Sequence, residues 1–144
     1  MVMDPIAAIN IKKDTSFAML LDAQQRGYEL FYLEMGDLYL QNGKPMARMA
    51  SLKVQENPEN WFELGDELHQ SLAELDVILM RKDPPVDSEF IYATHMFELA
   101  EQAGTLVVNK AQSLRDFNEK LFTSWFPDLV ADTLVTSDKT LIKS

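Results

Sequence analysis

Cysteine is absent from the 144 residues, which removes disulfides, thiolate nucleophiles and cysteine-held metals from consideration. Positive charge is scarce: 13 Lys and Arg stand against 23 Asp and Glu, a formal net charge of −10. A surface this acidic repels a phosphate backbone, so nucleic acid is not an expected partner. No apolar run approaches the roughly 20 residues that a membrane-spanning helix needs, so no membrane partner is expected either. Asp4, Lys12, Lys13 and Asp14 interrupt the apolar stretch that a signal peptide would require. Cytoplasmic residence is the simplest reading of these absences. Histidine occurs only twice, at His69 and His95, and no His, Asp or Glu group has metal-ligand spacing. No metal site and no catalytic histidine are therefore expected. The segment after the first apolar stub reads Asp4-Pro5-Ile6-Ala7-Ala8-Ile9-Asn10. It lacks Gly-x-Gly-x-x-Gly, so it is no dinucleotide fingerprint, and no P-loop follows.

Hydrophobic residues make up 47% of the chain, enough for the core of one domain. Strand and helix signals alternate, which predicts an α/β sandwich with a mostly parallel sheet. Val2-Met3 is the end of a first strand. A helix follows, capped by Asp14, Thr15 or Ser16 and ended by Gly27. Residues 28–33 read as a second strand. Asn42-Gly43 signals a type I′ turn, which adds an antiparallel hairpin near residues 38–54. Trp61-Phe62 reads as a short strand and residues 67–75 as a short helix. The apolar run 76–80 has the pattern of a strand buried on both faces. Residues 88–103 form a helix ended by Gly104, residues 105–108 a short buried strand, and residues 115–126 a last helix. The methionines, Trp61, Trp125 and the phenylalanines fall at apolar-face spacing and are read as core. Glu63, Asp66 and Glu67 are read as a solvated edge.

The doubly wound arrangement of four such strands places the first between the second and third. Loops leaving the first and third strands then splay apart and open a crevice, the usual ligand site of such sheets. Those loops, residues 4–16 and 81–88, hold both cation pairs of the chain: Lys12, Lys13 and Asp14 in one, Arg81, Lys82 and Asp83 in the other. Arg and Lys pair with carboxylates, and an Asp accepts from an ammonium, so the set suits an amino-acid-like or peptide ligand. Two bland readings compete: paired surface cations are commonly only solvated, and Asp83 before Pro84 caps a bend.

Several stretches carry a family likeness. They are Val2-Met3-Asp4-Pro5-Ile6, Asn10-Ile11-Lys12-Lys13-Asp14, Ser16 through Leu21, Gly27 through Leu30 and Glu34 through Leu40. Further along come Asp76 through Pro85, reading DVILMRKDPP, then Glu89 through Thr94, Gly104 through Lys110 and Gln112 through Thr123, with NEKLF inside the last. Together they resemble the N-terminal domain of bacterial glutathione synthetases, from residue 2 to about 136 and most weakly over 44–75. The resemblance implies a Rossmann-like domain in front of an ATP-grasp ligase. Such an enzyme joins γ-glutamylcysteine to glycine with ATP and Mg2+ through an acyl phosphate, and homo-oligomeric assembly is expected of it. It also implies that residues 1–120 form the substrate domain and residues 121–144 begin the junction to the ATP-grasp part. Arg81 and Lys82 then belong to the substrate-facing loop, with Lys12, Lys13 and Asp14 as loop-level candidates. Lys120 matches the lysine that approaches the nucleotide phosphates. An intrahelical ion pair of Lys120 with Asp116, four residues earlier, is a competing account.

The family continues well past the point that Ser144 reaches, with its second nucleotide lysine, glycine-rich loop and magnesium ligands. The expectation is therefore a piece that is inactive alone and binds no cofactor tightly. Its apolar face around Phe122, Trp125, Phe126 and Leu129 should be exposed. A non-catalytic module that binds a small anion or a partner protein is the alternative.

Overall fold

A computed structural model of the chain describes residues 1–118 and 120–142. In chain order the elements are β1 (Val2–Met3), α1 (Thr15–Gln25), β2 (Phe31–Tyr32), β3 (Leu38–Gln41), β4 (Lys44–Val54) and β5 (Phe62–Ser71). They continue with β6 (Val77–Arg81), α2 (Ser88–Gln102), β7 (Leu106–Val108) and α3 (Ala111–Asp116). β1, β6 and β7 pair in parallel, in that spatial order. Leu33, just past β2, bridges Val2 in parallel, so β1 lies between the second and third parallel segments as expected. The fold is mixed α/β, with a second, antiparallel sheet built around β4.

The hairpin forms as its turn residues require. Asn42 and Gly43 take φ of 51° and 77°, the two positive angles of a type I′ turn, between β3 and β4. β4 also pairs with β2 and along its length with β5. β2 therefore joins the two sheets: Phe31 and Tyr32 pair with β4, and the next residue bridges β1. The expected strand over 28–33 is reduced to these two residues.

The pairing register sorts the parallel strands by face. Val2 is opposite Met80, and Ile78 opposite Val107; these residues pack with Phe90, Ala93, Phe97 and Ala100 of α2. Met3 is opposite Arg81 and points to the other face, where it packs with Phe17 and Leu20 of α1. Arg81 therefore shares the α1 face, and Lys82 begins the turn away from it. On that α1 face Val77, Leu106 and Val108 are exposed and Leu79 is half-buried, so β6 is fully covered on one face only, not on both.

Three further expectations are corrected. Residues 67–71 are not helical but belong to β5, a ten-residue strand, and only a short 3-10 turn follows at Leu72–Glu74. Its sequence is rich in helix formers, but the backbone ladder with β4 outweighs propensity. The helix expected over 115–126 is instead α3, which ends at Asp116, with a 3-10 turn at Phe122–Trp125. Phe117, Trp125 and Phe126 are exposed and do not join the core. Glu63, Asp66 and Glu67 do lie exposed on β5, as expected.

Candidate functional site

Chain connectivity sends the loops after β1 and β6 to the same end of the parallel sheet. Between them is a cleft of about 300 Å³ lined by Asp4, Lys13, Asp14, Thr15, Ser16, Arg81 and Asp83, with Met3, Pro5, Ala8 and Ile9. The sheet thus brings together four of the six residues expected there: Lys13, Asp14, Arg81 and Asp83. Lys12 and Lys82 do not line it, and neither does Lys120.

Four of the charged groups at this end of the sheet have defined partners within the chain. Asp14 caps α1, its Oδ1 accepting from the Phe17 N–H at 2.8 Å. Arg81 extends from the end of β6 to the first turn of α1, donating from Nε to Ser16 Oγ at 3.1 Å and from Nη2 to Thr15 Oγ1 at 2.7 Å. Two of its five N–H groups are used this way, and three remain for a ligand. Lys82 turns its ammonium to Asp4 Oδ1 at 2.8 Å and to the Asp83 carbonyl at 2.8 Å. Asp4 Oδ2 accepts from the Asp83 N–H at 2.9 Å. Burial alone would raise the Asp4 carboxyl. The hydrogen bonds from Lys82 and Asp83 and the charge of Lys82 outweigh it and hold the group below its usual range. The Asp83 carboxylate and the Lys13 ammonium, by contrast, have no hydrogen bond or ion pair among the described residues.

The loop after β1 is held from outside. The Ile6 N–H donates to the Tyr32 hydroxyl at 3.2 Å, and Trp61 Nε1 donates to the Ile6 carbonyl at 2.9 Å. Burial, and then the neighbouring Glu34 that accepts the phenolic proton at 2.6 Å, push the Tyr32 hydroxyl up. Both polar backbone groups of Ile6 are therefore satisfied by side chains distant in sequence, Tyr32 of β2 and Trp61 just before β5.

Asp4, Thr15 and Ser16 were not legible as site residues. In the sequence Thr15 and Ser16 read only as possible helix caps. Asp4 offered one signal, its place as the first polar residue after β1. Lys120 lies beyond the end of α3, exposed, and does not share a helix with Asp116, so the i,i+4 geometry of an intrahelical pair is absent. Glu119, the second residue of the NEKLF string, lies outside the described residues, as do Lys143 and Ser144. His69 meets the Tyr39 hydroxyl at 3.0 Å, and His95 lies 3.9 Å from Glu98; neither lines the cleft.

Among the described residues no three His, Asp or Glu are grouped so as to hold a metal ion. Among the described residues no helix is long and apolar enough to cross a membrane.

Sequence comparison with known proteins finds matches over nearly the whole chain. Residues 1–115 match the model of the prokaryotic glutathione synthetase N-terminal domain. The glutathione synthetase of Salmonella typhimurium LT2 is 65% identical over 143 residues, 99% of this chain and 45% of the relative. That of Escherichia coli K12 is 65% identical over the same shares, and that of Yersinia pestis 64% identical over 142 residues. The chain spans about 45% of the length of the curated relatives it matches. It belongs to the prokaryotic glutathione synthetase N-terminal domain family.

Proposed function

We propose that this chain forms the peptide-side wall of an ATP-dependent carbon–nitrogen ligase that joins γ-glutamylcysteine to glycine. The observation that carries the reading is the composition of the cleft. It sets the guanidinium of Arg81 and the ammonium of Lys13 beside the Asp83 carboxylate, which has no partner of its own among the described residues. The γ-glutamyl end of the dipeptide is a free α-amino acid head. Its carboxylate suits Arg81 and Lys13, and its ammonium suits Asp83. The reacting carboxylate, on the cysteinyl residue, is at the opposite end of the molecule. Holding the head therefore leaves that carboxylate open to reaction.

The relatives' name and the family likeness supply the chemistry. The cysteinyl carboxylate attacks the terminal phosphorus of ATP and releases ADP. The glycine amine then attacks the acyl phosphate, losing a proton as inorganic phosphate leaves. The work of this chain is to bind and orient, which lowers the entropic part of the barrier. Lys120, exposed past α3, is proposed to approach the nucleotide phosphates, and residues 121–144 to begin the junction to the nucleotide-binding part. The acidic residues of this chain do not gather into a magnesium site among the described residues, so no step is assigned to the metal here. Cytoplasmic residence and homo-oligomeric assembly of the whole enzyme belong to the same proposal.

Titration calorimetry of the chain with γ-glutamylcysteine, with ATP in a parallel run, tests the reading. Peptide binding is expected, and Arg81→Ala is expected to weaken it at least about tenfold, the loss for a charged hydrogen-bonded contact. Peptide binding indifferent to Arg81→Ala, or none at all, would remove the cleft as the seat of the peptide.

A further inference from the structure

We infer that Asp4 is a positioning residue of this cleft, a clasp that fixes the two loops against each other so that Arg81 and Asp83 face one ligand. The inference rests on the peptide-wall reading and deepens it.

Asp4 spends both carboxylate oxygens across the cleft. Oδ1 takes the Lys82 ammonium at 2.8 Å and Oδ2 takes the Asp83 N–H at 2.9 Å. Lys82 closes the ring by donating to the Asp83 carbonyl at 2.8 Å. The peptide unit of Asp83 is thus held from both sides, by groups one loop away and one residue away. With its backbone fixed, the Asp83 side chain is left as the acceptor that the ring does not consume. The neighbouring Arg81 is braced independently on Thr15 and Ser16 of α1. The two ligand-facing groups, adjacent but for Lys82, therefore hang from different anchors, and Asp4 sets their separation.

Asp4 can play this part because its own backbone does not move freely. It follows β1 directly, where Val2 and Met3 pair with Met80 and Arg81, and two residues later both polar backbone groups of Ile6 are tied to Tyr32 and Trp61. A rigid anchor transmits geometry where a mobile one does not. Asp4 also neutralises Lys82, so the positive potential left for a carboxylate comes from Arg81 and Lys13. The clasp thereby selects a ligand with one carboxylate and one ammonium at that end, and not a polyanion.

The experiment is titration of γ-glutamylcysteine into the chain and its variants. Asp4→Asn keeps an acceptor for the Asp83 N–H but loses the ion pair. It is expected to weaken binding about tenfold, and Lys82→Met, which breaks the same pair from the other loop, should do the same. In an Asp83→Asn background, Asp4→Asn should cost little more, because Asp4 acts through Asp83; a merely structural role predicts the full further loss. Hydrogen exchange at the Asp83 amide should speed up in Asp4→Ala. Wild-type affinity in Asp4→Asn, with Arg81→Ala still weakening binding, overturns the clasp and leaves the peptide-wall reading standing. A loss in Asp4→Asn that Lys82→Met does not share overturns it too, as does full additivity with Asp83→Asn. Failure of the wild-type chain to bind removes the peptide-wall reading and the inference with it.

Discussion

Asp4 and Lys82 hold opposite charges across the mouth of the cleft, so their contribution to stability depends on pH. The Asp4 carboxyl lies below its ordinary value of 3.8 in the folded chain. A carboxylate with a depressed folded value stabilises the fold fully above its unfolded value and loses that contribution as pH falls through the folded one. The melting-temperature gap between the chain and Asp4→Asn should therefore be constant from about pH 7 to about pH 5 and close below the ordinary value of 3.8. Thermal melts followed by circular dichroism across that range measure it. A gap that stays open in strong acid would show that the ion pair is not its source. The residue scale also shows where sequence reading stops. Arg81 and Asp83 were legible as cleft residues because their loop leaves the sheet where its winding direction reverses. The division of labour between neighbours was not, since the turn that sends Lys82 toward Asp4 and Arg81 toward α1 depends on strand register.

At the scale of elements, local signals succeeded where a single residue dictates geometry. Asp14 caps α1, Asn42-Gly43 turns the hairpin, and Gly104, at φ 112°, follows α2. They failed where a distant partner decides. The second half of β5, residues 67–71, reads as helix yet lies along β4 as an edge strand, and most of β5 is exposed, so the two-residue alternation that betrays a half-buried strand never appears. Residues 115–126 have a helical apolar stripe, but no layer covers that stripe, and a short helix without packing does not persist. Between elements, Gln24 of α1 makes one join that no pattern could reveal. Its amide donates to the Val54 carbonyl and accepts from the Val54 N–H, each at 2.8 Å, completing the end of β4 as a further strand would. Gln24→Ala leaves both partly buried groups unpaired and should destabilise the chain by about 1–3 kcal/mol. Urea unfolding checks this, and a change below a few tenths would mean that water replaces the amide without cost. Since α1 also carries Thr15 and Ser16, the same variant should loosen the brace on Arg81 and weaken peptide binding.

For the molecule as a whole, the unequal covering of its parallel sheet matters most. Parallel sheets are stable when both faces are covered. Here α2 covers one face of β6 and β7, while on the other face Leu106 is 58% exposed, beside Val77 and Val108. A second apolar region follows α3, where Phe122 stacks against Trp125 at 5.3 Å, Trp125 is 69% exposed and Leu129 82%. Contiguous apolar surface of this kind favours association. The net charge of −10 opposes it, because like-charged copies repel at long range. Salt should therefore decide the balance: raising ionic strength screens the repulsion and leaves apolar contact untouched. Sedimentation velocity is expected to show reversible, concentration-dependent self-association that grows between about 0.05 and 0.5 M salt, where the screening length shortens several-fold. Trp125→Ser with Leu129→Ser should reduce it if the region after α3 is the contact, and Leu106→Lys should reduce it if the bare sheet face is. A monomer at every concentration and salt would show that neither surface is large enough to hold a second copy.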